Sequence, residues 1–248
     1  MKALILAAGY ATRLYPLTKE YPKPLLLVKD RPIIDYIVDK ISEIEAIDEI
    51  IVVTNSKFIL KFKAWKNKTR CPKQISIVDD LTKTKEDRRG AIGDMDFLIR
   101  EKRVKDDLLV IGGDNIFDEE LSGFMSFAKK HEPYPVIGVY DLRNKALATD
   151  YGVIKLDKRK QIVDFKEKPE KPGSSLIAMC LYFFPKQKLG LVKEYMDKRT
   201  GQNDAIGLYI DWLRNRESVY GFVFNGAWFD IGHLKTLKEA KQSFPTVK

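Results

Sequence analysis

Short apolar runs of strand length alternate with longer segments whose apolar residues recur at helical spacing. This alternation constrains the fold more than any other feature of the chain. Ala3–Ala7, Glu49–Thr54, Gln74–Val78, Asp107–Ile111 and Val136–Tyr140 read as strands. Between them, Ile33, Ile34, Ile37, Val38 and Ile41 share one helical face. Phe58–Trp65, Ala91–Glu101 (with Ile92, Met95 and Ile99 on one side) and Leu121–Lys130 read as helices too. A β-α-β-α order gives a mostly parallel sheet with helices on both faces, because parallel neighbours need a crossover. After Asp141 the rhythm changes. Gly152–Asp157 and Gln161–Lys166 read as a hairpin, Leu176–Phe184 and Val219–Asn225 as strands, and Ala205–Asn215 and His233–Gln242 as helices. Leu234, Leu237 and Ala240 are expected to face the core. No Gly/Ser linker, repeat or low-complexity segment divides the chain, so one domain is expected over 1–248, with halves 1–140 and 141–248.

Composition narrows the function. Among 248 residues, 44% are hydrophobic and 32% charged, which suits a soluble globular protein with a sizeable core. The net charge of +9 fits polyanionic ligands. Its cations are spread along the chain and not massed in a basic arm, so anionic small molecules are expected and nucleic acid is not. Cys71 and Cys180 are far apart and lack metal-site spacing, so reduced structural thiols are expected. The apolar run at the N-terminus is too short for a signal peptide, and no stretch reaches the ~20 apolar residues of a membrane span. A cytoplasmic protein without membrane contact is the default expectation.

The first strand stops at Gly9. A turn of small residues leads to Arg13, and Lys23 stands between Pro22 and Pro24. Small residues let a backbone approach a ligand, and N–H groups backed by Arg and Lys can cradle phosphate. The carboxyl end of a strand is where open α/β sheets place ligands. The run matches neither the Walker loop nor the dinucleotide fingerprint, and an irregular surface loop is the competing reading.

The segments LAAGYATRLYPLT and PKPLLLV resemble the opening signature of the sugar-1-phosphate nucleotidylyltransferases, L-A-A-G-x-G-T-R-L-x-P-L-T followed by P-K-P-L. Ala11 stands where that family has a second Gly, and a positive φ there would be strained. The resemblance implies a single-domain, three-layer nucleotide-diphospho-sugar transferase-like α/β fold with a mostly parallel mixed sheet. It extends over nearly the whole chain and is most like the glucose-1-phosphate thymidylyltransferase branch.

Further motifs acquire meaning from it. Asp114 follows an apolar strand in LLVIGGDNIF, and Asp230 follows an aromatic run in AWFDIGH. Alone, a strand-end Asp is more often a turn former. In the family such a pair holds magnesium, and carboxylates are the hard oxygen ligands Mg²⁺ prefers. YGVIKLD followed by FKEKPEKP matches the family's Y-G-V and E-K-P elements, which implies that Glu167 recognises sugar hydroxyls and Lys168 the sugar phosphate. Tyr151, Gly152 and Ala178, the last in IAMCLYFF, would line the sugar side. Leu6, Ala8, Gly9, Arg13, Lys23, Gly90 and Asp114 would bind the nucleotide, and Arg13, Lys23, Asp114, Lys168 and Asp230 would act in catalysis. The base-selecting region is the weakest match: no Gln precedes Gly90, and the charged run Lys83–Arg89 reads equally as an exposed or a ligand-facing loop. His131 reads as a surface residue and His233 as a cap beside the second acidic motif, and two His give no zinc site.

The resemblance therefore implies Mg²⁺-dependent transfer of a nucleotidyl group from a nucleoside triphosphate to a sugar 1-phosphate, with dTTP favoured and UTP or CTP next. Transfer to phosphocholine or an inositol phosphate, and a non-catalytic regulatory subunit, remain as rivals. Homo-oligomerisation is left open.

Overall fold

The computed structural model describes residues 1–198 and 205–244. It opens with β1 (Lys2–Leu6), in which Ala3, Leu4 and Ile5 are wholly buried. The strand ends one residue earlier than expected because the chain turns after Leu6, although the Ala7 N–H still donates to the Val53 carbonyl at 2.9 Å. Two short strands, β2 (Leu27–Val28) and β3 (Arg31–Pro32), form a ribbon that leads into α1 (Ile33–Ser42). β4 (Glu49–Thr54), α2 (Ile59–Lys66) and β5 (Gln74–Asp79) follow. Next come α3 (Gly90–Glu101), β6 (Leu108–Gly112), β7 (Asn115–Phe117) and α4 (Leu121–Lys130). β8 (Val136–Asp141), β9 (Gly152–Leu156), β10 (Ile162–Glu167) and β11 (Leu176–Phe184) are succeeded by α5 (Gly190–Lys198) and α6 (Ile206–Arg214). β12 (Tyr220–Phe224), β13 (Trp228–Asp230) and α7 (Leu234–Ser243) complete the described elements.

Two compact units emerge. The first consists of Met1–Arg89, Ile111–Leu121 and Gly226–Lys248, the second of Gly90–Val110 and Ser122–Asn225. In the first, β4 lies parallel between β1 and β5, with Lys2 opposite Glu49 and Leu6 opposite Val53. A parallel strand covered on both faces needs apolar residues at every position, which is why IIVV in β4 is buried without alternation. A second apolar cluster in this unit joins Leu14, Val28, Ile33, Tyr36, Ile116, Ile231, Leu237, Ala240 and Phe244. β13 pairs antiparallel with β7 inside it, with Phe229 opposite Ile116 and Asp230 opposite Asn115.

In the second unit, β8 pairs antiparallel with β11 and parallel with β12, so the strands are mixed. β9 and β10 form the expected antiparallel hairpin, with Glu167 opposite Gly152. Tyr209, Ile210 and Leu213 of α6 are wholly buried.

Three local expectations change. In α3, Leu98 is wholly buried while Ile99 is only partly so, because Leu98 continues the three-residue step through Ile92 and Met95. In α7, Leu237 and Ala240 are buried but Leu234 is 42% exposed, since it occupies the first turn, outside the apolar cluster. α5 and the β7–β13 ribbon were not expected from sequence.

Where β6 ends, the Gly113 N–H donates to the Leu6 carbonyl at 2.9 Å, setting the Gly-Gly-Asp turn beside the end of β1. A Cβ on Gly113 would lie 2.9 Å from that carbonyl oxygen and 3.2 Å from the Pro24 ring. Gly113→Ala is therefore expected to cost about 1–3 kcal/mol through overpacking against backbone. At this chain length that is a drop of several degrees in Tm, measured by thermal denaturation.

Candidate active site

The turn after β1 is held from beneath. Buried Asn55 donates through Nδ2 to the Ala8 carbonyl at 2.8 Å and accepts from the Phe58 N–H at 3.1 Å. Gly9 is exposed, and a Cβ built there would meet nothing within 4 Å. Backbone at Gly9 is thus accessible. Ala11 has φ 47° and ψ 42°, the left-handed conformation expected of the family's Gly. An L-residue pays roughly 1–2 kcal/mol for this. Its carbonyl is fastened by the Thr18 hydroxyl at 2.7 Å and the Leu14 N–H at 3.0 Å.

Leu14 enters the apolar cluster and its neighbour Arg13 is left exposed. Buried Ile231 likewise lies beside partly exposed Asp230, and buried Ile116 close to partly exposed Asp114. The Ile231 N–H donates to the Asp114 carbonyl at 3.0 Å, so the backbone brings the two acidic motifs together. Lys23 forms an ion pair of 2.5 Å with Asp114 Oδ2. Asn115 Nδ2 donates to the other Asp114 oxygen at 3.0 Å, and Asn115 Oδ1 accepts from the Trp228 indole at 2.8 Å.

Tyr10, Ala11, Thr12, Arg13, Lys23, Lys85, Arg88, Asp114, Asp230 and Gly232 line one cavity of about 270 Å³. Arg13, Lys23, Asp114 and Asp230 thus line one cavity within one compact unit. Leu6, Ala8 and Gly9 lie on the strand and turn leading into this loop. Asn55, Asn115, Lys85 and Arg88 were not singled out from sequence. Asn115 was legible as the residue after Asp114, whereas Asn55 lay beyond any motif. A larger cavity of about 520 Å³, lined by Arg31, Asp35, Lys61 and Trp65 among others, holds none of the expected residues. The smaller one sets cations beside two carboxylates, an arrangement that can receive a phosphate chain.

Asp114 and Asp230 offer the hard oxygen donors that would suit Mg²⁺. Among the described residues, no group of three or more His, Cys, Asp or Glu is arranged to hold a metal by itself. Among the same residues no helix is long and apolar enough to cross a membrane.

The remaining expected residues lie in the second unit. Gly90 opens α3 with φ 73°. Tyr151 and Gly152 start the β9 arm of the hairpin, and the Lys168 N–H donates to the Tyr151 carbonyl at 3.0 Å. Lys168 has φ 44°, and its Nζ lies 3.8 Å from Glu167 Oε1. The Glu167 carboxylate packs so closely on α6 that a Cβ on Gly207 would fall 1.8 Å from Oε2. Burial raises the Glu167 pKa, opposed by the weaker pull of Lys168. Ala178 pairs with Val139 just before β11 loses register, and Cys180, with φ 55°, lies in that irregular stretch.

Residues 2–246 match the family described as nucleotidyl transferase. A bifunctional protein GlmU from Methanocaldococcus jannaschii is 30% identical over 247 residues, covering 98% of this chain and 54% of that protein. One from Methanococcus aeolicus is 28% identical over 240 residues, covering 97% and 53%. The chain thus spans about half the length of these relatives. A structure described as a glucose-1-phosphate thymidylyltransferase from Bacillus anthracis superposes with a TM-score of 0.78 at 21% identity, over 100% of this chain and 98% of that one. A UDP-glucose pyrophosphorylase complexed with UDP-glucose gives 0.80 at 20% identity, over 98% and 97%. These likenesses show the α/β fold with its mixed sheet.

The raised Glu167 pKa has a testable sign. The native chain holds this proton more tightly than the unfolded chain. The group's contribution to stability therefore falls as pH rises from the unfolded carboxylate value, about 4.3, through the raised native one. Above that window the buried carboxylate opposes folding. Glu167→Gln is expected to melt above the wild type at pH 7, with the gap closing near pH 4, as thermal denaturation at both pH values will show.

Proposed function

Because the chain belongs to the nucleotidyl transferase family, we propose that it joins a nucleoside triphosphate to a sugar 1-phosphate, releasing pyrophosphate. The observation that carries this reading is the convergence of Arg13, Lys23, Asp114 and Asp230 on one cavity at the end of β1. In the proposed reaction a sugar-phosphate oxygen attacks the α-phosphorus in line. The bond from that phosphorus to the oxygen bridging the β-phosphate breaks, and pyrophosphate carries away the electron pair. The attacking phosphate is already ionised near neutral pH, so the protein need supply no general base. Its work is to gather two polyanions and to balance the charge that develops between them.

Arg13 is assigned to the β- and γ-phosphates and Lys23 to the α-phosphate region. On the sugar side, Lys168 is assigned to the attacking phosphate and Glu167 to sugar hydroxyls, with Tyr151, Gly152 and Ala178 shaping the pocket. Leu6, Ala8, Gly9 and Gly90 are assigned to the nucleoside through backbone groups. Asp114 and Asp230 are the residues that would hold Mg²⁺, which when bound neutralises phosphate oxygens. Lys23 then passes from Asp114 to a phosphate oxygen, exchanging one anionic partner for another.

A pyrimidine triphosphate is the proposed donor, with dTTP preferred over UTP and CTP. The described functions of the two superposed structures, thymidylyl transfer and UDP-glucose pyrophosphorolysis, both concern pyrimidines and support this choice. Backbone amides and carbonyls near Gly9 and Gly90 can read a small base without a dedicated side chain, giving modest selectivity among pyrimidines.

Asp114→Asn and Asp230→Asn are each expected to lower kcat by about 10²-fold or more, the scale of losing a main electrostatic stabiliser. Pyrophosphate release from purified protein with Mg²⁺, a triphosphate and a panel of sugar 1-phosphates measures this. Near-normal turnover in either variant removes that residue from the metal site. The same assay with equal dTTP, UTP, CTP, ATP and GTP in competition is expected to consume the pyrimidines first. Preference for ATP or GTP would refute the donor assignment and leave the transfer reaction standing.

A further inference from the structure

The segment from Asp80 to Arg89 carries a dense mixture of charges that helical or strand periodicity does not organise. Its geometry sorts them. The Asp87 carboxylate accepts from the Lys83 N–H at 3.0 Å, the Thr84 N–H at 2.8 Å and the Thr84 hydroxyl at 3.2 Å. Buried Asp80 accepts from the Thr82 N–H at 2.7 Å and the Thr82 hydroxyl at 2.8 Å. Arg89 Nε donates to the Asp80 carbonyl at 2.7 Å. Two acids and one arginine are thereby spent on shaping the loop itself.

Lys85 and Arg88 line the cavity that also holds Arg13, Lys23, Asp114 and Asp230, whereas Glu86 and Asp87 do not. The lining thus has four cationic side chains and two carboxylates. One cation, Lys23, is already committed to Asp114 at 2.5 Å. The excess is positive, and like charges gathered round a cavity repel one another unless an anion joins them. The anion that fits has several charged oxygens spread over more than one centre, because two guanidinium forks and two lysine ammoniums approach from different segments of chain.

We propose that Lys85 and Arg88 are direct ligands of the pyrophosphate moiety, so that the cavity binds inorganic pyrophosphate by itself. The same two residues grip the β- and γ-phosphates of the donor and delay release of the leaving group. This rests on reading the cavity as the triphosphate end of the proposed site. It adds two side chains, from a loop the family signature does not cover, to the assigned Arg13 and Lys23. Pyrophosphate is then a competitive inhibitor against the triphosphate, with an affinity that falls as salt screens the exposed Lys85 and Arg88.

Calorimetric titration of the full chain with sodium pyrophosphate, in Mg²⁺ buffer at fixed ionic strength, tests this without any turnover. Lys85→Gln and Arg88→Gln are each expected to weaken binding on the order of tenfold, the scale of one charged hydrogen bond. Lys63→Gln removes the same charge from an exposed position on α2, outside the cavity, and is expected to bind within about twofold of wild type. Wild-type affinity in both loop variants overturns the proposal, and so does an equal loss in Lys63→Gln, which would reduce the effect to net charge. Steady-state assays separate the two readings. Pyrophosphate binding that depends on Lys85 and Arg88, in a protein that turns over no triphosphate, upholds the cradle and defeats the proposed reaction. Turnover with an unchanged triphosphate KM and unchanged pyrophosphate affinity in both loop variants does the reverse.

Discussion

The apolar cluster around Leu14, Ile116 and Ile231 is the constraint on which the candidate site depends. Each of these residues is wholly buried and each sits one or two positions from a charged residue of the site. Burying such a side chain contributes about 1.5–3 kcal/mol, far more than an exposed ion pair, so the packing sets the geometry and the charges follow. A rotation that buried Arg13 in place of Leu14 would remove an apolar contact and strand a guanidinium without water. The cluster also includes Leu237 and Phe244 at the far end of the first unit's chain. Residues from three separated stretches therefore have to be present before the site exists.

Electrostatics then works on a prepared frame. Lys23 and Asp114 are partly shielded, with side-chain exposures of 16% and 31%, so their attraction is stronger than at an open surface but still screened. Asn115 completes the arrangement by donating to Asp114 and accepting from Trp228, so its amide orientation is fixed at both ends. The Asp114 carboxylate accordingly has a partner on each oxygen. An aspartate held from two sides presents its remaining lone pairs in set directions, which is what a small cation with strict geometry needs.

Legibility in the sequence followed locality. β4, α4 and β11 have the bounds expected of them, because an uninterrupted apolar run or a clear helical stripe announces itself within ten residues. The β7–β13 ribbon did not, since each strand has three residues and its partner lies more than a hundred positions away. α5 was missed because GLVKEYMDK buries only Val192 and so carries little stripe. Lys85 and Arg88 were left undecided because a run of mixed charges has no period to read; the hydrogen bonds at Asp80 and Asp87 that shape this loop are not legible in the sequence. Asp114 and Asp230 were singled out through family motifs, and the β7–β13 ribbon is what places these distant stretches side by side.

Ala11 shows how much irregularity the cluster can enforce. A methyl group stands at a left-handed position, at a cost of roughly 1–2 kcal/mol that a glycine would avoid. The conformation persists because the segment is fixed on both sides: Leu14 is buried, and the Ala11 carbonyl accepts two hydrogen bonds. Relaxing Ala11 to an extended conformation would swing Arg13 and Leu14 together, withdrawing one from the core and the other from the cavity. Strain at one residue is thus outweighed by burial at another. The turn therefore holds a left-handed position with an alanine where the family signature has a glycine.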